Sequence, residues 1–231
     1  RCVYGDDYFH ASDQGGSAGY PDYLGEADLL QAHGWYYAEV LKPFMTLGTV
    51  LDVGAAAGFI LKGLLERGWH GVGLEPNAQM TAYGRAHLGL SMVTGALEDA
   101  QIINPVSKAS FDLLTMIQVI AHFHDLHKAL THAAALTRPG GFWLIESWDR
   151  TSWPARLLGR YWHEYSPPSV LHWFSPTGLA QLAGQFGFVE VARGRPRKRL
   201  NGAHAKSLLR YKLQTLPGHQ ALTLPLALIP D

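Results

Sequence analysis

The chain predicts an α/β fold on a parallel sheet, and three observations carry that expectation. It has 231 residues, 47% apolar and 16% charged, which suits one folded α/β domain with additions. Residues 49–75, TVLDVGAAAGFILKGLLERGWHGVGLE, read as strand, small-residue turn, helix and strand, a βαβ unit. Downstream, short apolar runs keep alternating with stretches of helical period as far as residue 191.

Taken in order, residues 1–25 are rich in Gly, Asp and Tyr and show no sustained period. They predict irregular structure whose aromatics, Tyr8, Tyr20 and Tyr23 among them, must be buried against the domain edge or over a ligand. Residues 26–46 predict an amphipathic helix ended or kinked by Pro43. Val50, Leu51 and Val53 form a β-branched apolar run suited to a strand covered on both faces. From Gly54 to Gly58 no side chain exceeds a methyl group. Phe59, Ile60, Leu64 and Leu65 then recur at helical spacing, with Gly68 as the stop.

The second strand, 70–74, closes on Glu75; a helix over 77–88 and a short strand at 91–94 follow. Residues 111–120, FDLLTMIQVI, are the most strand-like run in the middle of the chain, and 128–136 predict a helix that Arg138-Pro139-Gly140-Gly141 ends. Residues 141–147 give the fifth strand. Ser175-Pro176 opens a helix over 177–186, and 187–191 give a sixth strand. A seventh is weakly suggested at 221–229, where Pro225 interrupts it.

Composition excludes several classes of function. Net charge is zero, which argues against bulk DNA as a partner, and no apolar run reaches the ~18–20 residues of a spanning helix. The single cysteine, Cys2, makes neither an internal disulfide nor a metal site, so a cytoplasmic protein is expected. The chain opens on Arg1 rather than Met, as a trimmed start would. His122, His124, Asp125 and His127 crowd into HFHDLH, yet the Asp sits one place early for the HxHxDH pattern of metallo-hydrolases, and no metal is expected. The basic run from Arg193 to Arg199 reads as a solvated strand end, with an anionic substrate or membrane surface as the alternative.

The turn at 54–58 is where the chemistry points. A loop with almost no side chains lets backbone approach a ligand, at the amino end of a helix whose free N–H groups are available. Glu75 follows Asp52 by twenty-three positions, close to the ~20 expected of a carboxylate that grips ribose hydroxyls at the next strand's tip. A nucleotide-like cofactor fits; the plain alternative is a βαβ unit with a solvated terminal Glu.

LDVGAAAG resembles the first motif of class I S-adenosylmethionine (SAM)-dependent methyltransferases, and VGLEPN their second. Ala56 stands where that family usually has its middle glycine. The ordered resemblance covers roughly 49–191 and includes the FD start of the fourth strand and RPGG before the fifth. It implies a Rossmann-like three-layer α/β/α sandwich with a mostly parallel sheet. Residues 1–46 would be an N-terminal lid and helical segment, 47–200 the SAM-binding core, 149–175 an insert after strand five, and 201–231 an extension.

The resemblance also implies a site. Asp52, Gly54, Ala55, Ala56, Gly58 and Phe59 would shape the methionine end, and Glu75, with Pro76 and Asn77, would hold the ribose. Leu97, Glu98, Ile117 and Gln118 would enclose adenine. His122 takes the place of a histidine common in the family at this point; it would contact the cofactor or the reaction centre, and as a histidine it is a candidate general base, with a structural role as the alternative. Ala121 replaces the acidic residue usual before it.

The insert, with three tryptophans, three prolines and two histidines, is long for an irregular connection. It supplies a pool of substrate residues: Trp153, Arg156, Trp162, His163, Tyr165, His172 and Trp173. The implied activity is methyl transfer from SAM to a small-molecule acceptor, O-methylation on frequency, leaving S-adenosylhomocysteine (SAH). No nucleic-acid partner is expected, and a monomer or homodimer is. Other readings are N- or C-methylation, a nucleotide-dependent oxidoreductase, which the glycine spacing disfavours, and a non-catalytic methyltransferase-like module.

Overall fold

A computed structural model describes residues 23–99 and 111–196, so Tyr8, Tyr20, Arg197 to Arg199 and the candidate strand at 221–229 lie outside the described residues. Among the described residues, Thr49–Val53 (β1), His70–Glu75 (β2), Met92–Thr94 (β3), Phe111–Ile117 (β4) and Thr137–Glu146 (β5) form one sheet. Every pairing is parallel, in the order β3-β2-β1-β4-β5. Chain order reverses between β1 and β4, so the ligand crevice of such a sheet opens outside their carboxyl ends.

Helices cover both faces. Ala27–Leu41 (α1), Phe59–Leu65 (α2) and Ala78–Leu88 (α3) lie on one side; Leu126–Leu136 (α4) and Pro176–Gly184 (α6) lie on the other, with Trp153–Leu158 (α5) between them in sequence. The alternation along β1 explains why both faces need cover. Leu51 and Val53 pack with Leu114, Met116, Leu130 and Leu136, while Val50 packs with Tyr37, Leu41, Leu61 and Leu64. A strand apolar on both sides is stable only as the middle layer.

α1 lies directly on α2. A Cβ added to Gly34 would stand 2.2 Å from the Ile60 carbonyl oxygen, and one added to Gly63 2.2 Å from that of Gln31. Only a pair of glycines admits helix backbones this close. The contact fixes α1 against the helix that begins at the small-residue turn.

Three expectations change. β4 stops at Ile117 instead of reaching 120, because Gln118 turns to φ +57 and Ile120–His122 coil into one 3-10 turn. β5 begins at Thr137, four residues before the expected strand: Phe111 faces Thr137 but Leu113 faces Phe142, and Arg138 to Gly141 form the bulge between. The expected strand at 187–191 is absent. Residues 188–196 run irregularly with Val189 82% exposed, held by Phe188 stacked on Trp143 at 3.7 Å and by an Arg193–Glu190 ion pair at 2.6 Å. A ring contact anchors that segment without ladder hydrogen bonds.

Candidate active site

The turn after β1 is left-handed at three positions: Gly54 (φ +68), Ala56 (φ +48) and Gly58 (φ +89). A left-handed backbone is cheap for glycine and costs an alanine about 1–2 kcal/mol. Ala56 therefore keeps the turn its sequence position implies, under strain. The Gly54 and Ala55 N–H groups donate to the Leu74 carbonyl at 2.8 and 3.1 Å, drawing the turn across the tip of β2. Tyr23 packs on Phe59, ring centroids 5.7 Å apart, in a cluster with Ala56, Ala57 and Met80, so this expected lid residue is buried beside the turn.

Glu75 ends β2 and ties two loops together. Its Oε2 accepts from the Ala56 N–H at 2.9 Å and its Oε1 from the Asn77 N–H at 2.8 Å. Asn77 in turn caps α3, its side-chain oxygen accepting from the Met80 N–H at 2.9 Å. Burial raises the Glu75 pKa, and the two backbone donors oppose that shift. A carboxylate has about four acceptor positions, so these two bonds leave capacity for a diol. Pro76 is exposed between Glu75 and Asn77.

Asp52 lies one strand over, 3% exposed. Its Oδ1 accepts from the Thr115 hydroxyl at 2.6 Å, while Oδ2 is buried with no hydrogen-bond partner among the described residues. Burial, reinforced by the charge of Glu75 and opposed by the Thr115 bond, lifts its pKa to about 7. A buried, half-satisfied carboxylate costs free energy unless something completes it. Orphaned Oδ2 and unused acceptor capacity on Glu75, beside a turn without side chains, form an acceptor set that fits a cofactor with an ammonium group and ribose hydroxyls.

Two residues that the sequence did not single out, Glu146 and Tyr37, join Gln118 at the tips of β4 and β5. Glu146 is 9% exposed and receives the Tyr37 hydroxyl on Oε2 at 2.6 Å and the Gln118 amide on Oε1 at 2.8 Å, while the Gln118 N–H donates to the Glu146 carbonyl at 2.8 Å. Beside its hydrogen bond to Glu146, burial holds the Tyr37 phenol protonated. These bonds fix Gln118 in its left-handed conformation, next to Ile117 and Val119. The legible sign was a glutamate closing an apolar strand; nothing marked Tyr37 within its helix.

The HFHDLH run divides its work. His122 Nδ1–H donates to the Ser169 carbonyl at 2.6 Å; a carbonyl only accepts, so the neutral ring carries its lone pair on Nε2. The His124 N–H donates to Glu98 Oε1 at 3.0 Å, Asp125 caps α4 through the Lys128 N–H at 3.0 Å, and the His127 ring lies 5.4 Å from Phe186. Among the described residues no group of three or more His, Cys, Asp or Glu is arranged to hold a metal ion. Leu97 is buried and its carbonyl accepts from His132 Nδ1–H at 2.6 Å.

The insert folds back onto this turn. The Leu171 and His172 N–H groups donate to the Ala121 carbonyl at 2.9 and 3.1 Å, and His172 Nε2–H to that of Phe123 at 2.9 Å. These bonds hold the end of the insert, which also contains α5, against the 3-10 turn after β4. Trp162 is buried, with His163 edge-on to it and to Trp148. Trp173 stacks on Tyr165 at 4.9 Å and donates its indole N–H to the Glu164 carbonyl at 2.7 Å. Trp153, by contrast, is 83% exposed and Arg156 is exposed, so these two members of the pool stand in solvent.

A methyltransferase-domain family model matches residues 31–192. The chain is 28% identical over 125 residues to the ubiquinone biosynthesis O-methyltransferase of Paramagnetospirillum magneticum, covering 52% of this chain and 49% of that protein. The chain thus spans about half the length of the curated relatives it matches. Among solved structures, a SAM-dependent methyltransferase from Thermotoga maritima superposes with a TM-score of 0.56 at 22% identity, covering 73% of this chain and 78% of that one. The SAH-bound magnesium protoporphyrin IX methyltransferase of Synechocystis PCC 6803 gives 0.56 at 14% identity, covering 83% and 87%. Those likenesses are of fold. With sequence motifs, sheet order and family model in agreement, the chain belongs to the class I SAM-dependent methyltransferases.

Proposed function

We propose that this chain binds SAM across the carboxyl tips of β1 and β2 and transfers its methyl group to a small-molecule acceptor, with O-methylation the favoured chemistry. The observation that carries the reading is the Glu75 carboxylate, which spans the Ala56 and Asn77 N–H groups beside the orphaned Oδ2 of Asp52. Asp52, Gly54, Ala55, Ala56, Gly58 and Phe59 would hold the methionine end, Glu75, Pro76 and Asn77 the ribose, and Leu97, Glu98, Ile117 and Gln118 the adenine. The cofactor supplies an electrophilic methyl on a sulfonium.

The protein's task is then to align an acceptor with that methyl and exclude water. His122 is proposed as the base for a hydroxyl acceptor: the Ser169 carbonyl fixes its tautomer so that Nε2 is the proton-accepting nitrogen. Tyr8, Tyr20, Tyr23, Trp162, His163 and His172 are proposed to enclose the acceptor. The O-methyltransferase name of the relatives supports oxygen as the accepting atom. A cytoplasmic monomer or homodimer without a nucleic-acid partner completes the reading.

Calorimetric titration with SAH tests it. Micromolar binding, about −8 kcal/mol, that weakens at least tenfold in Glu75→Ala supports the site. Folded wild-type protein that gives no heat with SAH sinks it.

A further inference from the structure

α5 carries the most exposed large apolar side chains among the described residues. Of its six residues only Ala155 is buried. Trp153 and Leu157, four residues apart and so on one face, are each 83% exposed, and Leu158 is 45% exposed. Tyr161, in the 3-10 turn that follows, is 40% exposed. Single exposed apolar residues are ordinary, but a Trp, two Leu and a Tyr exposed within one short segment mark a surface that meets a partner.

Charge and size select the partner. Arg150, Arg156 and Arg160, interspersed with these residues in sequence, are exposed, and residues 150–163 contain no Asp or Glu. The Arg160 guanidinium lies 4.9 Å over the Tyr161 ring. Exposed tryptophan, leucine and tyrosine interspersed with arginine match an anionic bilayer interface, where the aromatics sit at headgroup level and the cations meet lipid phosphates. Six helical residues extend only about 9 Å, little surface against the ~800 Å² per partner of a standard protein interface. A bilayer needs no shape-matched surface of that size.

We propose that α5 and the following turn dock this protein peripherally on an anionic lipid surface, with Trp153 and Leu157 inserted and Arg150, Arg156 and Arg160 on the headgroups. Among the described residues no helix is long and apolar enough to cross a membrane, so the attachment is interfacial. The same insert returns, through the Leu171 and His172 N–H groups, to the Ala121 carbonyl beside His122. Docking itself stands whether or not the methyl-transfer reading holds.

Sedimentation of the whole chain with extruded vesicles tests it, using phosphatidylcholine alone and phosphatidylcholine with phosphatidylglycerol. Binding is expected to the anionic vesicles, weakening with salt, and to fall about tenfold or more in Trp153→Ala/Leu157→Ala. Arg156→Gln/Arg160→Gln should weaken binding and flatten its salt dependence. SAH titration of the same variants reports on the cofactor site separately. The proposal is overturned by wild-type protein that ignores anionic vesicles, or by a double alanine variant that binds as wild type does. It is also overturned if the patch mediates a dimer in sedimentation equilibrium that Trp153→Ala/Leu157→Ala dissolves while vesicle binding is absent.

Discussion

The Ala56 N–H donates across 2.9 Å to the Glu75 carboxylate, joining the turn after one strand to the tip of its neighbour. The bond makes Glu75 a brace as well as a candidate ligand, since the same carboxylate also receives the Asn77 N–H. Replacing it with alanine should lower SAH affinity and thermal stability together, the latter by about 2–4 kcal/mol because two buried backbone donors lose their acceptor. Glu75→Gln keeps one acceptor oxygen, so it should recover part of the stability and less of the affinity. Calorimetry and thermal melts on the two variants separate the roles.

Ala56 at φ +48 predicts an unusual gain. Glycine relieves about 1–2 kcal/mol of left-handed strain and gives back about 0.5–1 kcal/mol in chain entropy. Ala56→Gly should therefore melt at or slightly above the wild-type temperature. Gly58→Ala runs the other way: with φ +89 and a Cβ that would lie 2.5 Å from Leu90 Cδ1, it should lose about 1–3 kcal/mol. An Ala56→Gly variant clearly less stable than wild type contradicts the strain.

Asp52 gives the pH dependence. Its folded pKa, about 7, lies above the unfolded value of ~3.9. The folded state thus binds the proton more tightly, so the stabilisation is complete below about pH 4 and is lost as pH rises towards 7. Glu75, also raised by burial, adds in the same direction. The lowered carboxylates, Asp112 and Glu66 among them, act in the opposite sense but only at acid pH. Melting temperature should fall from pH 5 to 7.5 in the wild type and stay flatter in Asp52→Asn.

The backbone contact between α1 and α2 tolerates no side chain. Gly34→Ala and Gly63→Ala should each cost more than about 2 kcal/mol, since the added methyl meets backbone and not a movable side chain. Chemical denaturation measures this, and a change under about 0.5 kcal/mol contradicts the packing.

Glu146→Leu should strand the Tyr37 hydroxyl and the Gln118 amide and lose about 2–4 kcal/mol. In a Gln118→Gly background the left-handed turn no longer needs that brace, so the loss should shrink. A double-mutant cycle with no coupling between the two positions contradicts the brace.

Sequence alone determined the strands β1 to β4 to within a few residues, the helices on both faces, and the small-residue turn at 54–58 between β1 and α2. These follow from local rules. Period-2 and period-3.6 patterning, glycine stops and caps such as Asn77 and Ser175 act within a few residues of chain. Tertiary structure alone decided that Tyr37, Gln118 and Glu146 meet, 109 residues separating the first from the last, and that the Ser169 carbonyl sets the His122 tautomer from 47 residues away. It also decided that 188–191 join no ladder and that Trp153 points to solvent while Trp162 is buried. Each of these depends on which surfaces are brought together once the sheet has closed, a contact energy between distant segments that no local pattern encodes.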